Sequence, residues 1–424
     1  MLVLLIATVI SGLPLGISLI VSSIFYLMLS GHDVGLAAEQ VLNSIFGNFV
    51  ALAVPLFIFA ANIMNASQIS DRLLKFALAM VGRLPGGLAQ VNILTSLIFS
   101  GMSGSAVSDV AGIGKVMTDM MIKDDRYPPG FAGAVTAASA VVGPIFPPSI
   151  PMVFYALISS TSVGALFLGG VVPALILVTV LAVAVVVISK RRGFPVEEAI
   201  PLRQYPSIIL RAIPPLMMPV ILLGGIYGGA FTPTEAAAVS AFYALLLAIF
   251  AYRSLGLRNF LGVVLASVQT TAISMTILAG AFILNYVVTI EQIPQIVFSL
   301  FEQLHLGREM FLLLLNVLYL ILGCFLDVST ITLVITPLFI PAAAAVGIDL
   351  TYLGVVLVFN MMIGLVTPPY GVLLFIIKAL NGVPLGDMIR EIWVFVALLV
   401  AVLMLLVFVP DLVMWLPRMA GMAN

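Results

Sequence analysis

The chain of 424 residues is strongly apolar, with 62% hydrophobic residues, 8% charged residues and a mean hydropathy of +1.27. A soluble domain typically carries about 25% charged residues, so this composition indicates a protein whose solvent is the lipid bilayer. The formal net charge of -1, without a basic block, excludes a nucleic-acid-binding surface. The single cysteine, Cys324, excludes intramolecular disulfides and cysteine-based metal clusters.

Apolar stretches long enough to cross a bilayer recur along the chain and fall into two halves. Residues 1–189 form the first half and residues 212–424 form the second. Between them, residues 190–211 are polar and contain three prolines, which is typical of a linker. We therefore predict an all-α polytopic membrane protein made of two halves.

Lysine and arginine are retained on the cytoplasmic side of short loops. When the linker is placed in the cytoplasm, every lysine and arginine except Arg308 and Arg418 falls on that side. The two halves then begin on opposite sides of the membrane, which we expect to be a bacterial inner membrane. The amphipathic stretches around Arg72 and Glu302 are predicted to be interfacial arms that carry the segments following them.

Several landmarks of the first half recur in the second half. GPIFPP at 143–148 corresponds to GLVTPP at 364–369, an offset of 221 residues, and Phe154 then falls on Phe375. Since the halves begin on opposite sides, the repeats are predicted to be inverted, an architecture typical of secondary transporters.

Each half contains a segment whose polar centre divides two limbs that are too short to cross the membrane. In residues 88–127 the centre is GMSGSAVSD, at 101–109. A limb of about 13 residues reaches only ~20 Å, against a hydrocarbon thickness of about 30 Å. We predict re-entrant helical hairpins over 88–127 and over 308–347, the second with Asp327 at its tip. The two tips are expected to meet near the membrane midplane.

A long apolar segment follows each hairpin and is interrupted at its middle. GPIFPPSIP interrupts residues 131–158, and GLVTPPYG interrupts residues 350–378. Proline lacks the amide hydrogen and clashes with the carbonyl four residues earlier, so both segments are predicted to be broken helices. The freed carbonyls need partners inside hydrocarbon. Sodium is such a partner, and half-helix N-termini attract anions.

These breaks predict two cation sites and one anion site. The first cation site combines two hydroxyls with carbonyls of the broken helix: Ser103, Ser105, Gly143, Pro144 and Phe146. The second combines the other tip with the other broken helix: Asp327, Ser329 or Thr330, with Gly364, Val366 and Thr367. A substrate anion is expected between the tips, beside Gly104, Ser149 and Tyr370.

Asp109 and the segment that begins at Thr232 can each be interpreted as functional or as structural. Asp109 is a carboxylate inside a predicted membrane segment, where ionisable residues are functional by default, but it alternatively caps the second limb of its hairpin. Thr232, Pro233 and Glu235 fit the N-cap, first and third positions of a helix, which favours a structural capping box there.

Four motifs now stand in order: GMSGSAVSD at 101, GPIFPPSIP at 143, GGIYGGAFTPTEAAA at 224 and IGLVTPPYG at 363. They resemble the large membrane subunit of tripartite ATP-independent periplasmic (TRAP) transporters, and the resemblance covers essentially the whole chain. It implies an elevator-type carrier of the wider ion-transporter superfamily. It also implies two partners, a small four-helix membrane subunit and a periplasmic substrate-binding protein, and the chain resembles the unfused form.

The resemblance implies sodium ligands at both tips: Ser103, Ser105, Gly143 and Pro144, and Gly323, Asp327, Thr330 and Thr367. Sodium is the implied coupling ion, and no cofactor is expected. The family pattern leads us to expect alanine at the positions of Ser108 and Gly112. We expect this departure from the pattern to change little.

We predict sodium-coupled uptake of a small organic acid anion such as sialic acid, a C4-dicarboxylate or a keto acid. The alternative is a stand-alone sodium/dicarboxylate or citrate carrier that works without a binding protein. An enzyme is not expected, because the sequence contains no H-E-x-x-H, G-x-S-x-G or G-x-x-x-x-G-K-[ST] motif.

Overall fold

The computed structural model describes residues 1–67, 69–303 and 307–422, and within these ranges every regular element is a helix. Of the described helices, six are long and apolar enough to cross a membrane: Phe49–Ala66, Val163–Arg192, Leu202–Tyr227, Pro233–Ala251, Leu257–Ile290 and Leu385–Phe408. Shorter apolar helices lie between them. The predicted all-α polytopic membrane fold is thus confirmed.

The first half runs from α1 to α11. It contains α1 (Leu2–Ile10), α2 (Leu15–Leu29), α3 (Gly35–Phe46), α4 (Ala53–Ala66), α5 (Ile69–Val81), α6 (Gly87–Ser103), α7 (Ala106–Asp109), α8 (Lys115–Ile122), α9 (Pro129–Ala140), α10 (Ile150–Ser159) and α11 (Val163–Arg192). The hairpin consists of α6 to α8, and the broken helix consists of α9 and α10.

The second half runs from α12 to α22. It contains α12 (Tyr205–Tyr227), α13 (Pro233–Leu246), α14 (Leu257–Ile290), α15 (Ile293–Gln303), α16 (Arg308–Gly323), α17 (Val328–Thr330), α18 (Ile340–Ala345), α19 (Leu350–Gly364), α20 (Val372–Asn381), α21 (Leu385–Phe408) and α22 (Asp411–Met419). Its hairpin consists of α16 to α18, and its broken helix consists of α19 and α20.

The order of short arm helix, hairpin, broken helix and long helix occurs in both halves. The first hairpin helix begins at Gly87 and its counterpart at Arg308, 221 residues later. The second limb of each hairpin also contains a π-helical segment at this offset, Val110–Gly114 and Ile331–Ile335. The structural repeat therefore has the offset of the sequence motifs.

The prolines separate the two pieces of each broken helix. In the first, α9 ends at Ala140 and α10 begins at Ile150, where the Ser149 hydroxyl accepts a hydrogen bond from the Met152 amide at 3.3 Å. In the second, the chain turns after Gly364 and α20 begins after Gly371, whose φ is +49°. Each interruption leaves backbone carbonyls outside the helical hydrogen-bond ladder.

The hairpin tips turn at residues suited to helix ends. α6 ends at Gly104, which has φ +62°, and a Cβ there would collide with the Pro148 carbonyl. The Ser105 side chain then caps α7 by accepting a hydrogen bond from the Ser108 amide at 3.3 Å. At the other tip, the Asp327 carboxylate caps α17 through the Thr330 amide at 3.1 Å.

The helices pack in two groups. The scaffold group consists of α2, α4, α12, α13 and α14, in which α14 packs on α2 and α4, and α13 packs on α4 and α12. The hairpin group consists of the two hairpins, the two broken helices, α11, α21 and α22. The arm helix α5 contacts both α6 and α12, and α15 contacts both α14 and α18. Each predicted arm therefore joins the scaffold group to a hairpin.

The linker is fastened to the base of the first hairpin. Arg126 pairs with Glu197 at 2.6 Å, and the Glu197 amide donates to the Gly82 carbonyl at 2.9 Å. The Tyr127 hydroxyl donates to the Pro195 carbonyl at 3.3 Å. The linker thus crosses the end of the hairpin that the sequence places in the cytoplasm.

The predicted capping box is confirmed at the start of α13. The Thr232 hydroxyl accepts from the Glu235 amide at 3.3 Å, and the Glu235 carboxylate accepts from the Thr232 amide at 2.8 Å. Pro233 occupies the first turn. This motif therefore positions a scaffold helix and does not enter the site.

The membrane orientation can be tested by labelling single cysteines at the open ends of the two hairpins. We expect Leu84→Cys, in a Cys324→Ser background, to react with a membrane-impermeant thiol reagent only from the cytoplasm, and Gly307→Cys only from the periplasm. Leu84 is 45% exposed, and a Cβ at Gly307 meets no atom within 4 Å, so both thiols should be accessible. Labelling of both cysteines from one side would contradict the inverted arrangement.

Candidate functional site

Both hairpin tips face a single cavity of about 500 Å³. Its lining includes residues 103–108 of the first tip and Asp327, Val328 and Ser329 of the second. The broken helices contribute Pro144, Ile150, Pro151, Leu365 and Val372, and the scaffold helices α4 and α14 contribute Asn62, Asn65, Thr270 and Ser274. The two tips therefore line one cavity, and their predicted position at the membrane midplane stays a prediction.

Ser103 stands at the end of α6, where the first tip begins. Its side chain is fully buried, and its hydroxyl oxygen has no hydrogen-bond partner among the described residues. Buried hydroxyls are normally paired, because an unpaired one costs about 1–3 kcal/mol. The oxygen is therefore suited to a ligand that supplies the missing interaction.

The first tip lies directly against the loop of the first broken helix. The Ile150 amide donates to the Gly104 carbonyl at 3.5 Å, and a Cβ at Gly143 would lie 3.4 Å from the Ala106 amide nitrogen. No hydrogen bond within the described residues ends on the carbonyl oxygens of Gly143 or Phe146. The first tip is therefore in contact with the loop that carries the predicted carbonyls, and the first cation site stays a prediction.

The second tip lies equally close to the second broken helix. A Cβ at Gly323 would stand 3.2 Å from the Cα of Gly364, so the two backbones touch where they lack side chains. Asp327 lines the cavity, and its carboxylate accepts hydrogen bonds from the amide and the hydroxyl of Thr330. Ser329 also lines the cavity, whereas Thr330 is buried behind it.

The loop of the second broken helix presents a hydroxyl and a free carbonyl. The Thr367 hydroxyl donates to the Ile363 carbonyl at 2.7 Å, which leaves its own lone pairs available as acceptors. The Gly364 carbonyl accepts the Thr367 amide at 3.2 Å. No hydrogen bond of the described residues ends on the Val366 carbonyl.

The residues predicted for the anion lie at different depths. Gly104 lines the cavity. Ser149 is fully buried, donates to the Pro144 carbonyl and caps α10, so it holds the loop in shape behind the cavity wall. Tyr370 is 54% exposed and its ring lies 5.8 Å from that of Phe375, away from the cavity lining.

Charge in the cavity wall is limited to one residue. Of the lining residues, Asp327 is the one that ionises, and neither lysine nor arginine contributes. An anion there would be bound by neutral donors, because the first amides of α10 are already paired with Gly104 and Ser149. A bound cation would also offset the Asp327 charge.

Asp109 is excluded as a helix cap. It is 1% exposed in the second limb of the first hairpin, and neither carboxylate oxygen has a hydrogen-bond partner among the described residues. The capping role at this tip belongs to Ser105 instead.

The scaffold side of the cavity was not predicted. Asn62 and Asn65 are three residues apart on α4, and Thr270 and Ser274 are four apart on α14, so each pair lies on one helix face. Polar side chains at this spacing in apolar helices are the signal that would have identified them.

Ser108 and Gly112 both contact Asn65. The Asn65 amide donates to the Ser108 hydroxyl at 2.8 Å, and a Cβ at Gly112 would collide with the Asn65 side-chain oxygen. Both residues are therefore part of the contact with Asn65, and the expectation that the two departures change little stays a prediction. Together they let a scaffold side chain reach the first hairpin at the cavity wall.

Comparisons with known proteins agree with this architecture. Residues 2–412 match the family described as tripartite ATP-independent periplasmic transporter, DctM component. The chain is 38% identical over 410 residues to the sialic acid TRAP transporter large permease protein SiaM of Vibrio cholerae, covering 96% of each chain. It is 39% identical over 376 residues to the C4-dicarboxylate TRAP transporter large permease protein DctM of Pseudomonas aeruginosa, covering 89% of this chain and 88% of that one.

The fold is also found in a solved structure. The Alcanivorax borkumensis YdaH transporter, described as having an unusual topology, matches with a TM-score of 0.65 at 13% identity, covering 91% of this chain and 89% of that one. At this identity the likeness concerns the fold alone.

The contact between Asn65 and Gly112 predicts a coupled effect on stability. Gly112→Ala should lower the free energy of unfolding by about 1–3 kcal/mol, because the added methyl group overpacks against Asn65. In an Asn65→Ala background the same substitution should cost less than about 0.5 kcal/mol. Denaturant unfolding of the four proteins in detergent measures this cycle. An equal cost in both backgrounds would refute the steric coupling.

Proposed function

Since this chain belongs to the DctM component family of tripartite ATP-independent periplasmic transporters, we propose that it carries a small organic acid anion into the cell in symport with sodium. The observation that carries the proposal is the buried Ser103 hydroxyl, which has no partner among the described residues and belongs to the tip that contacts the loop with the unpaired Gly143 and Phe146 carbonyls. Oxygen atoms without partners in an apolar setting favour a hard cation that coordinates them.

The first sodium ion is proposed to bind between the first tip and the first broken helix. Its ligands would be the hydroxyls of Ser103 and Ser105 and the carbonyls of Gly143 and Phe146. The Pro144 carbonyl, which accepts from Ser149, would contribute through its second lone pair.

The second sodium ion is proposed to bind between the other tip and the other broken helix. Asp327, with Ser329 or Thr330, would supply the tip side, and Val366 and Thr367 would supply the loop side. The close contact of Gly323 with Gly364 supports this placement, because it brings the two backbones together. The Gly364 carbonyl would contribute through the lone pair that Thr367 leaves unused.

The anion is proposed to occupy the cavity between the tips. A volume of about 500 Å³ lies within the range of about 300–1,000 Å³ that small-molecule sites occupy. The relatives named for sialic acid and for C4-dicarboxylates support the class of small carboxylates, with a keto acid as a third member of that class. Gly104 and the scaffold asparagines are proposed to contact it, and Ser149 and Tyr370 remain predicted contacts.

Sodium gradients supply enough free energy for such uptake. Each entering sodium ion gains about 2.3 kcal/mol per 100 mV and about 1.4 kcal/mol for a tenfold gradient, so two supply about 7 kcal/mol. Carrying in one negative charge costs about 2.3 kcal/mol. The remaining ~5 kcal/mol corresponds to an accumulation of several thousandfold.

The movement is proposed to be an elevator motion in the bacterial inner membrane. The hairpin group would travel with its cavity past the scaffold group, with the arms α5 and α15 as the connecting segments, since each contacts both groups. A small four-helix membrane subunit and a periplasmic binding protein that delivers the anion are proposed as partners. Family membership supports both.

Sodium coupling can be tested in proteoliposomes that contain the chain, its small subunit and the binding protein. Uptake should require an inward sodium gradient, because the proposed ligands are mostly neutral oxygens. Radiolabelled anion accumulation measures this, first with sodium and then with potassium at equal ionic strength. Equal uptake driven by a pH gradient in the absence of sodium would contradict the proposal.

Single substitutions at the two tips test the placement of the cations. Ser103→Ala and Thr367→Ala each remove one ligand oxygen from a proposed sodium site. A hydrogen bond or ligand to a charged group is worth about 1.5–3 kcal/mol. The sodium concentration that gives half-maximal uptake should therefore rise roughly tenfold to a hundredfold. High sodium should partly restore the affinity for the anion, because linkage is reciprocal.

Ser100→Ala provides the matched control for Ser103. Ser100 is equally buried on α6, but its hydroxyl donates to the Leu97 carbonyl at 2.5 Å. This substitution should leave the sodium dependence of the folded protein unchanged. Wild-type sodium dependence in both tip variants, measured per folded molecule, would show that the cation sites are misplaced.

A further inference from the structure

A second groove, of about 840 Å³, lies between the arm helix α5 and the start of α12 and shares no lining residue with the cavity. Four basic side chains and one acidic side chain line it, from α5, from the turn before α12 and from α12: Arg72, Lys75, Arg203, Arg211 and Asp71. The two walls are joined by the Tyr205 hydroxyl, which donates to the Ala79 carbonyl at 3.0 Å. The groove is therefore a basic cleft held at a fixed width.

The basic residues of this groove form no ion pair among the described residues. The Arg72 guanidinium is held over the Tyr252 ring, at 3.9 Å from its centroid. Lys75, Arg203 and Arg211 are exposed. Like charges gathered in one cleft repel one another unless an anion lies between them, so the groove is suited to a ligand with several negative oxygens.

The surroundings of the groove are those of a membrane surface. Leu78, Ile200 and Ile208 line it together with the charges. Beside it, Leu202 is 83% exposed and Leu210 is 66% exposed. Arg211 lies in the first turns of a helix that is long and apolar enough to cross the membrane. Charged and apolar side chains side by side fit a ligand with an anionic head and hydrocarbon chains.

We propose that this groove binds the phosphate headgroup of an anionic phospholipid from the cytoplasmic leaflet. Basic pockets on the cytoplasmic side of membrane helices bind such headgroups, and each lysine or arginine near the surface strengthens the attraction. Arg203 would contact the phosphate from the turn before α12, Arg211 from α12 and Lys75 from the arm. The exposed leucines would lie along the acyl chains. The lipid would thereby bridge the arm of the first hairpin to the scaffold group.

The test is lipid binding to the full-length protein, measured by native mass spectrometry. Phosphatidylglycerol is compared with phosphatidylcholine of the same acyl chains. The groove variant Lys75→Gln/Arg203→Gln/Arg211→Gln removes three exposed charges and leaves Arg72 on its ring. Each charge should account for about a fivefold change in affinity, so phosphatidylglycerol should bind roughly a hundredfold more weakly.

A matched control removes an equal number of positive charges from residues on the same predicted side of the membrane. Lys123→Gln/Lys190→Gln/Arg191→Gln changes three exposed residues outside the groove and should bind phosphatidylglycerol within about twofold of the wild type. Equal losses in both variants, or none in the groove variant, would overturn the site. Displacement of the lipid by inorganic phosphate at equal concentration would assign the groove to a free anion and overturn the lipid.

Discussion

The structure depends on one constraint, which is that a helix broken inside hydrocarbon leaves backbone carbonyls that water cannot reach. The prolines after Gly143 and after Gly364 create this condition twice. Each break is covered by a hairpin tip that approaches so closely that a Cβ would collide, at Gly104 in the first tip and at Gly364 beside the second. Ser103 keeps an unpaired hydroxyl among the described residues, and this oxygen is a proposed ligand of the first cation.

The repeat places two hairpin tips and two helix breaks around one cavity. Corresponding elements of the two halves are 221 residues apart, and both pairs of tip and break line the same cavity. The scaffold helices α4 and α14 close its other side, and the arms join the two groups. A cavity shared between a hairpin group and a scaffold group is compatible with the proposed alternating access, in which one group moves against the other.

Much of this could be predicted from the sequence, for local reasons. Prolines, glycines and a polar run within apolar segments mark breaks and tips, and the capping box at Thr232 follows from three residues. The contacts of Asn65 with Ser108 and Gly112 could not be predicted, since they join parts of the chain that meet only after packing. Ser149 illustrates the same limit: its residue type suits a ligand, but its hydroxyl is used by its own loop.

The central claim is that sodium completes the unpaired oxygens at the helix breaks, and the thermal stability of the purified chain without any anion tests it most directly. An ion that binds only the folded protein raises the free energy of unfolding by about 2.7 kcal/mol when its concentration is a hundred times its dissociation constant. Sodium should therefore raise the unfolding temperature above the value in choline or potassium at equal ionic strength, and a Ser103→Ala/Thr367→Ala variant should lose this difference. Equal stabilisation by sodium, potassium and choline in the wild-type protein would contradict the account.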